Sequence, residues 1–120
     1  MELIPDVLNE KCGSRVVLSH VTSRWGPLVL IALLDGTLRF SALRRRIGGV
    51  SERMLTQSLR LLEDDGLIER IAHQVVPPHV DYRLTPMGGE VAQNVLALAQ
   101  CIERNLEKIT LARTLRADAR

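Results

Sequence analysis

Residues 51–66 read SERMLTQSLRLLEDDG, and this stretch predicts the clearest helix in the 120-residue chain. Ser51 is a favoured N-cap, and Glu52 places a carboxylate in the first turn, where it complements the helix dipole. Gly66 is suited to the position that follows the last turn. Three leucines recur at i, i+4 and i+7 and form one apolar stripe: Leu55, Leu59 and Leu62. We therefore expect this helix to pack against a core along its leucine stripe.

Three shorter helices are predicted before the leucine-striped helix. The first covers residues 14–21 and is capped by its opening serine. The second covers residues 27–34, where a proline fits the first turn and an Asp-Gly pair follows the end. Residues 37–39 form a short extended link, and the third helix runs from about residue 41 to 47. Gly48-Gly49 ends it and makes a tight turn into the next helix.

A β-hairpin and a long helix are predicted after the leucine-striped helix. Residues 67–73 alternate partially and residues 80–84 alternate with period two, as in paired strands. Pro77 and Pro78 cannot continue a strand ladder, so they require a loop. Thr85-Pro86 fits an N-cap and a first helical position. Apolar residues then keep helical spacing to about Arg113, in one long helix or two in line.

The order of these elements predicts a mainly α fold with a small β-hairpin. Three helices, a tight turn, a fourth helix, a hairpin and a long helix are the order of a winged helix-turn-helix. The N-terminal and C-terminal helices are additions to that domain. A helix pair joined by a tight turn is common, and the hairpin directly after it makes the pattern more specific. We expect a single domain over residues 1–120, with a core at about 14–85 and a C-terminal dimerisation helix at about 86–113.

Composition narrows the class of protein. Apolar residues make up 46% and charged residues 25%, which is a globular balance rather than that of a disordered chain. The longest apolar run, residues 28–34, is too short to cross a bilayer, and no secretory leader pattern is present. We expect a cytoplasmic protein with no membrane partner. Without a phosphate-binding glycine loop or a nucleophile–base motif, no enzyme activity and no cofactor is expected.

Arginines are concentrated between residues 39 and 60. Six arginines fall there against one acid, Glu52, so six positive charges minus one give a local charge of +5. Such a concentration is typical of a surface that binds phosphates, and a solvated helix face is the alternative.

The face opposite the leucine stripe carries candidate base-reading side chains at helical spacing: Arg53, Thr56, Gln57 and Arg60. In the major groove, arginine forms two hydrogen bonds with guanine, glutamine forms two with adenine, and the threonine methyl group contacts the methyl group of thymine. Any amphipathic helix has a polar face, which is the alternative. The absence of a lysine–glutamate mixture on this face favours base reading.

Arg44, Arg45 and Arg46 end the preceding helix and are better suited to phosphates, because that helix crosses the DNA backbone in this geometry. At least one of them is expected to pair with an acid such as Glu63 or Asp64. Two further candidates flank the proline loop, where a wing tip reaches phosphate or the minor groove: His79 and Arg83. The complete set of DNA-binding candidates is Arg44, Arg45, Arg46, Ser51, Glu52, Arg53, Thr56, Gln57, Arg60, His79 and Arg83.

Cys12 is a candidate redox or electrophile sensor. It lies beside Lys11 and close to a predicted helix start, and both features lower the pKa of a thiol. The alternative is a small apolar side chain packed against the first helix. Cys101 is expected in the core or in a dimer interface. Two cysteines this far apart do not suggest a disulfide scaffold. No metal site is expected, because the three histidines lack a mutual metal-binding spacing: His20, His73 and His79.

Three stretches resemble the HxlR family, a branch of MarR-like winged-helix regulators. They are Arg24-Trp25-Gly26, the run RFSALRRRIGGVSERMLTQSLRLLEDDGLIER over residues 39–70, and VPPHVDYRLTPMG over residues 76–88. The resemblance implies a homodimer joined through its N-terminal and C-terminal helices. It also implies that the helix from Ser51 enters successive major grooves of a palindromic operator. A role for Cys12 in sensing oxidants, quinones or aldehydes is implied as well.

Two functions of different classes remain. The first is a transcriptional regulator that binds a double-stranded DNA operator as a homodimer and responds to a small-molecule or oxidant effector. The second is a helical dimerisation adaptor that binds a protein partner through its basic face. Duplex binding with a steep salt dependence distinguishes the first function from the second.

Overall fold

The computed structural model describes residues 5–120, and its elements confirm a mainly helical winged fold. In chain order they are α1 (Gly13–Val21), α2 (Gly26–Leu33), β1 (Leu38–Arg39), α3 (Phe40–Arg46), α4 (Glu52–Asp64), β2 (Ile68–His73), β3 (His79–Leu84), α5 (Pro86–Arg104) and α6 (Leu106–Ala119). The predicted helix, helix, helix, turn, helix, hairpin and C-terminal helix are all present.

The core lies between α2, α4 and α5. Most of α2 is buried, because its sequence is apolar on every side, and both α4 and α5 pack against it. The leucine stripe of α4 is 0–1% exposed, as predicted: Leu55, Leu59 and Leu62. Burial contributes about 1.5–3 kcal/mol for each such side chain. The stripe therefore fixes which face of α4 remains at the surface.

α1 and α2 differ in direction by 74° across the break between them. At this break the Arg24 guanidinium lies 4.8 Å from the centre of the Trp25 ring, and Trp25 packs against the core. Within residues 5–120 no single helix is long and apolar enough to cross a membrane, and only this bent pair reaches the required apolar length when combined.

The sheet has three antiparallel strands in the order β1-β3-β2. β2 and β3 form the predicted hairpin, from the pair Ile68 and Leu84 to the pair His73 and His79. The link predicted over residues 37–39 contains β1, in which Leu38 lies opposite Tyr82. A strand of two residues is too short to show an alternating pattern in the sequence. The sequence therefore predicted no strand at β1, which forms because β3 of the hairpin lies beside it.

Local geometry between α3 and α4 follows the predicted turn and cap. Gly49 has a φ of +85°, which a residue with a Cβ adopts only at a cost. Ser51 then caps α4, because its Oγ accepts a hydrogen bond from the Met54 backbone N–H at 3.1 Å. Thr85 caps α5 in the same way. Both caps are confirmed.

Two helix boundaries differ from the prediction. The N-cap of α1 is Cys12, so Ser14 lies within the first turn, and its Oγ contacts the Cys12 Sγ at 3.0 Å. The C-terminal helical region is two helices separated by Asn105, and it continues to Ala119 rather than Arg113. The Asn105 side chain donates to the Cys101 carbonyl at 2.8 Å, a local bond of the kind that competes with helix formation.

Candidate nucleic-acid interface

α4 has two faces with opposite properties. Its leucines are buried, whereas the four predicted base-reading side chains are exposed on the other side: Arg53, Thr56, Gln57 and Arg60. The helix has 13 residues, which at 1.5 Å per residue gives a length of about 20 Å. An α-helix is narrow enough to enter the major groove of B-DNA. The exposed face can therefore approach base edges while the buried face holds the helix in position.

The C-terminal end of α4 is tied to α1. His20 Nδ1 and Asp65 Oδ2 lie 2.7 Å apart, with side chains 21% and 12% exposed, and Asp65 is the C-cap of α4. The sequence prediction missed this contact, because the two residues are 45 positions apart and neither belongs to a motif. Consequently, the position of α1 constrains the direction in which α4 projects.

Two residues at the start of α4 are already engaged. Ser51 uses its hydroxyl as the cap acceptor, and Glu52 accepts a hydrogen bond from Arg44 Nη1 at 3.1 Å. These contacts give both residues a role in presenting the N-terminal turn of the helix.

The arginines of α3 differ in their partners. Arg44 pairs with Glu52, and Arg46 Nη2 donates to Asp35 Oδ2 at 2.6 Å. Both pairs are about half exposed, and surface pairs of this kind contribute only about 0–1 kcal/mol. The prediction that one of these arginines pairs with an acid is confirmed. The acids named for it, however, were wrong: Glu63 and Asp64.

Several arginines near α4 form no salt bridge within residues 5–120: Arg39, Arg45, Arg53, Arg60 and Arg70. Three of them, with Thr56 and His79, line an open concave surface between α4 and the sheet: Arg39, Arg60 and Arg70. Arg39 and Arg70 were not among the predicted site residues, because only the sheet brings β1 and β2 beside α4. Arg39 belongs to the arginine-rich stretch of residues 39–60, whereas no motif or charge pattern in the sequence marks Arg70 as a site residue.

The two wing candidates lie in different places. His79 is the first residue of β3, beside the loop 74–78, and is half-buried. Arg83 lies opposite Glu69, four positions farther from the loop, and its Nε donates to Glu69 Oε2 at 2.7 Å. At about 3.4 Å per residue, this separation places Arg83 roughly 14 Å along the strand from His79. The prediction that Arg83 flanks the wing loop is therefore wrong.

Cys12 lies at the N-terminus of α1 and contacts hydrogen-bond donors. The Ser14 hydroxyl, 3.0 Å from Sγ, is the main cause that lowers the pKa of the Cys12 thiol, followed by the backbone N–H of Asp6 at 3.4 Å. Desolvation and the Asp6 carboxylate oppose this shift. The direction agrees with the prediction. Of the two predicted causes, the helix start contributes through a hydrogen bond from the Ser14 backbone N–H, whereas Lys11 does not lower this pKa.

Exposed apolar side chains run along α5 and α6: Leu98, Ile102, Leu106, Ile109, Leu111 and Leu115. None of the described residues of α6 is buried. Leu98 and Ile102 are four positions apart on α5, and Leu106 and Ile109 are three positions apart on α6, so each pair lies on one side of its own helix. Exposed apolar patches of this extent mark interaction surfaces. Cys101 is exposed on α5, so its predicted place in the core is wrong, and its place in an interface stays a prediction.

The chain is similar over most of its length to proteins described as transcriptional regulators. Residues 20–110 match the family described as HxlR-like helix-turn-helix. The uncharacterized HTH-type transcriptional regulator YtfH of Escherichia coli (strain K12) is 61% identical over 108 residues, which cover 90% of this chain and 86% of YtfH.

Solved structures share the fold. A protein described as the transcriptional regulator ytfH from Salmonella typhimurium superimposes with a TM-score of 0.88 at 56% identity, covering 92% of this chain and 99% of that one. The redox regulator HypR in its oxidized form gives a TM-score of 0.71 at 34% identity, covering 78% of this chain and 97% of HypR. These similar proteins are described as regulators, not as enzymes.

Proposed function

This chain belongs to the HxlR-like helix-turn-helix family of transcriptional regulators, and we propose that it binds a palindromic DNA operator sequence-specifically as a homodimer. The observation that carries the proposal is the exposed polar face of α4, backed by a leucine stripe that is 0–1% exposed. A rigid helix with this division of faces aligns its polar side chains with base edges at no cost to the core.

In the proposed complex, α4 lies in the major groove. Arg53 and Gln57, one turn apart, read base edges, and Thr56 and Arg60 contact the same groove. Arg45 binds phosphate directly, whereas Arg44 and Arg46 exchange their weak carboxylate pairs for phosphates. Arg39 and Arg70 add positive charge on the concave surface, and His79 approaches the backbone from the wing.

The homodimer forms through α1, α5 and α6. Support comes from the apolar stripe of α5 and α6, which has no cover within the described chain. Two-fold symmetry then places two copies of α4 on one side of the duplex, with half-sites about 34–36 Å, or one helical turn, apart. The operator is expected to be an inverted repeat.

An oxidant or electrophile is the proposed effector, and Cys12 is the residue that receives it. The lowered pKa of its thiol increases the thiolate fraction at neutral pH, and thiolate is the reactive form. Cys12 is the N-cap of α1, and α1 is tied to the end of α4 through His20 and Asp65. Treatment with diamide is expected to change DNA affinity in the native protein and not in Cys12→Ser.

The test is selection of binding sites from a random duplex pool, followed by fluorescence anisotropy on the selected and a scrambled duplex at several salt concentrations. Arg53→Ala and Gln57→Ala should each weaken binding to the selected duplex by about 1–3 kcal/mol, with little change on the scrambled one. Arg45→Ala should weaken both and reduce the salt slope by about 1. Arg120→Ala, which removes an exposed arginine that follows the last helix, is the charge control and should change neither affinity.

If Arg53→Ala and Gln57→Ala lost the same affinity for the selected and the scrambled duplex, the proposal that α4 reads base edges would be wrong. Absence of duplex binding at low salt would instead favour the adaptor, which uses the same basic face for a protein. Enrichment of a single half-site without its inverted repeat would contradict the homodimer arrangement.

A further inference from the structure

Three metal-ligating side chains meet at the loop end of the β2–β3 hairpin, and one of them, His79, also borders the concave surface beside α4. His73, His79 and Asp81 each offer one ligand atom, and these atoms lie within 4.8 Å of one another. His73 Nε2 and Asp81 Oδ2 are 2.9 Å apart, and the two imidazole rings stack with centroids 4.5 Å apart. We propose that these three residues bind one divalent transition-metal ion of the Zn²⁺ class.

Strand register brings the three side chains together. His73 lies directly opposite His79 across β2 and β3, and Asp81 follows His79 by two positions on the same strand. Directly opposed residues and residues two apart share one face of a sheet. The ladder therefore holds all three Cβ atoms on one surface. The sequence prediction of no metal site rested on the spacing of the cysteines and histidines, and spacing along the chain does not reveal strand register.

The distances suit a small ion after a modest adjustment. Zn²⁺ binds imidazole nitrogen at about 2.0–2.1 Å and carboxylate oxygen at about 2.0–2.2 Å, so the ligand atoms of a tetrahedral ion lie about 3.3 Å apart. The ligand atoms here all lie within 4.8 Å of one another, so no pair must approach by more than about 1.5 Å. Rotation of the side chains alone supplies a movement of this size, because the backbone ladder already aligns them.

The surrounding charges leave the carboxylate available. Asp81 is 20% and His73 38% exposed, so the cluster is sheltered yet reachable from solvent. Arg83, two positions after Asp81, is engaged by Glu69. Arg39 lies opposite Asp81 in β1, but within residues 5–120 no salt bridge joins them. The Asp81 carboxylate therefore has His73 as its partner rather than a permanent cation.

The donor set selects the class of ion. Two imidazoles and one carboxylate suit Zn²⁺ and neighbouring transition metals, whereas Mg²⁺ and Ca²⁺ prefer sites made of oxygen ligands. Three protein ligands leave a coordination position that water fills. Binding replaces the hydrogen bond between His73 and Asp81, and any proton on the coordinating nitrogen passes to solvent. With neutral imidazoles, the net charge of the cluster changes from −1 to +1.

The experiment titrates untagged, full-length protein with Co²⁺ and then displaces the Co²⁺ with Zn²⁺. We expect one Co²⁺ per chain, visible ligand-field absorption, and no sulfur-to-metal charge-transfer band. His73→Gln and His79→Gln should each weaken Zn²⁺ binding at least about tenfold. His20→Gln removes a histidine outside the cluster and should leave Zn²⁺ affinity unchanged. Far-UV circular dichroism checks that each variant keeps the fold.

Three results would overturn the assignment. These are the absence of ligand-field absorption at saturating Co²⁺, a thiolate charge-transfer band, and an equal loss of affinity in His20→Gln and His79→Gln. Asp81→Asn provides an independent check, since it keeps the shape of the side chain and removes the anionic ligand. The titration contains no DNA, so its outcome is independent of the proposed operator binding.

Discussion

Substitution of Gly88 by alanine is expected to destabilise the junction between the wing and α5. A Cβ on Gly88 would overlap the carbonyl oxygen of Leu67 and lie 2.7 Å from its carbonyl carbon. That carbonyl is held in place, because it accepts a hydrogen bond from the Thr85 backbone N–H at 3.1 Å and lies 3.2 Å from the Thr85 hydroxyl, which donates to the neighbouring Gly66 carbonyl at 2.7 Å. Relief of the overlap therefore requires either loss of these bonds or displacement of α5 from the core.

The magnitude follows from the crowding. Overpacking of a tight site costs about 1–3 kcal/mol, and an overlap with pinned backbone belongs at the upper end, so we expect a loss of about 3 kcal/mol in the free energy of unfolding. For a domain of this size, 1 kcal/mol corresponds to roughly 4 °C, so the midpoint of thermal unfolding should fall by roughly 12 °C. Circular dichroism at fixed protein concentration measures it, since dimer formation makes the midpoint depend on concentration.

Gly89 provides the matched control. A Cβ at Gly89 meets nothing within 4 Å, so Gly89→Ala should gain the helix propensity of alanine, about 0.5–1 kcal/mol, and raise the midpoint. If Gly88→Ala were as stable as the native protein or as Gly89→Ala, the close approach of α5 to Leu67 would be refuted.

Three further outcomes are expected. Ser51→Ala should lower stability by about 1 kcal/mol in thermal unfolding and Ser51→Gly by only a few tenths, and equal losses would argue against the cap. Because hydrogen bonding lowers the pKa of Cys12, its alkylation by iodoacetamide should rise with pH through a lower midpoint than that of an ordinary thiol. Ser14→Ala should move this midpoint upward, while Ser19→Ala should not. Ile102→Glu should yield folded monomers in sedimentation analysis, because its side chain is already 48% exposed in the chain, and a persistent dimer would place the interface elsewhere.

Local signals account for the parts of the fold that were predicted correctly. Ser51 and Thr85 were recognisable caps because capping depends on a few adjacent residues, and the leucines of α4 were recognisable because burial imposes helical periodicity. The cap assigned to Ser14 was wrong for the same local reason. Cys12 and Ser14 are close enough in sequence for either to begin the helix, and the backbone, which is extended at Cys12 and helical from Gly13, makes Cys12 the N-cap.

Contacts between distant residues account for most of what was missed. The pairs Arg44 with Glu52 and Arg46 with Asp35 depend on how α3 turns against α4 and α2, and no periodicity encodes that angle. Arg70 joins the concave surface only because β2 lies beside α4. Its sequence neighbours give no indication of that position.

The sequence alone determined the winged helix-turn-helix, the two faces of α4 and the concentration of arginine around it, because helix periodicity, caps and local charge are properties of neighbouring residues. Only the tertiary structure decided which arginines keep a free charge, that Arg83 lies away from the wing tip, and that His20 holds Asp65. It also placed His73, His79 and Asp81 on one surface through the pairing of β2 with β3. The physical reason is that register and packing angle arise from the whole chain burying its apolar surface together, and no short segment contains that information.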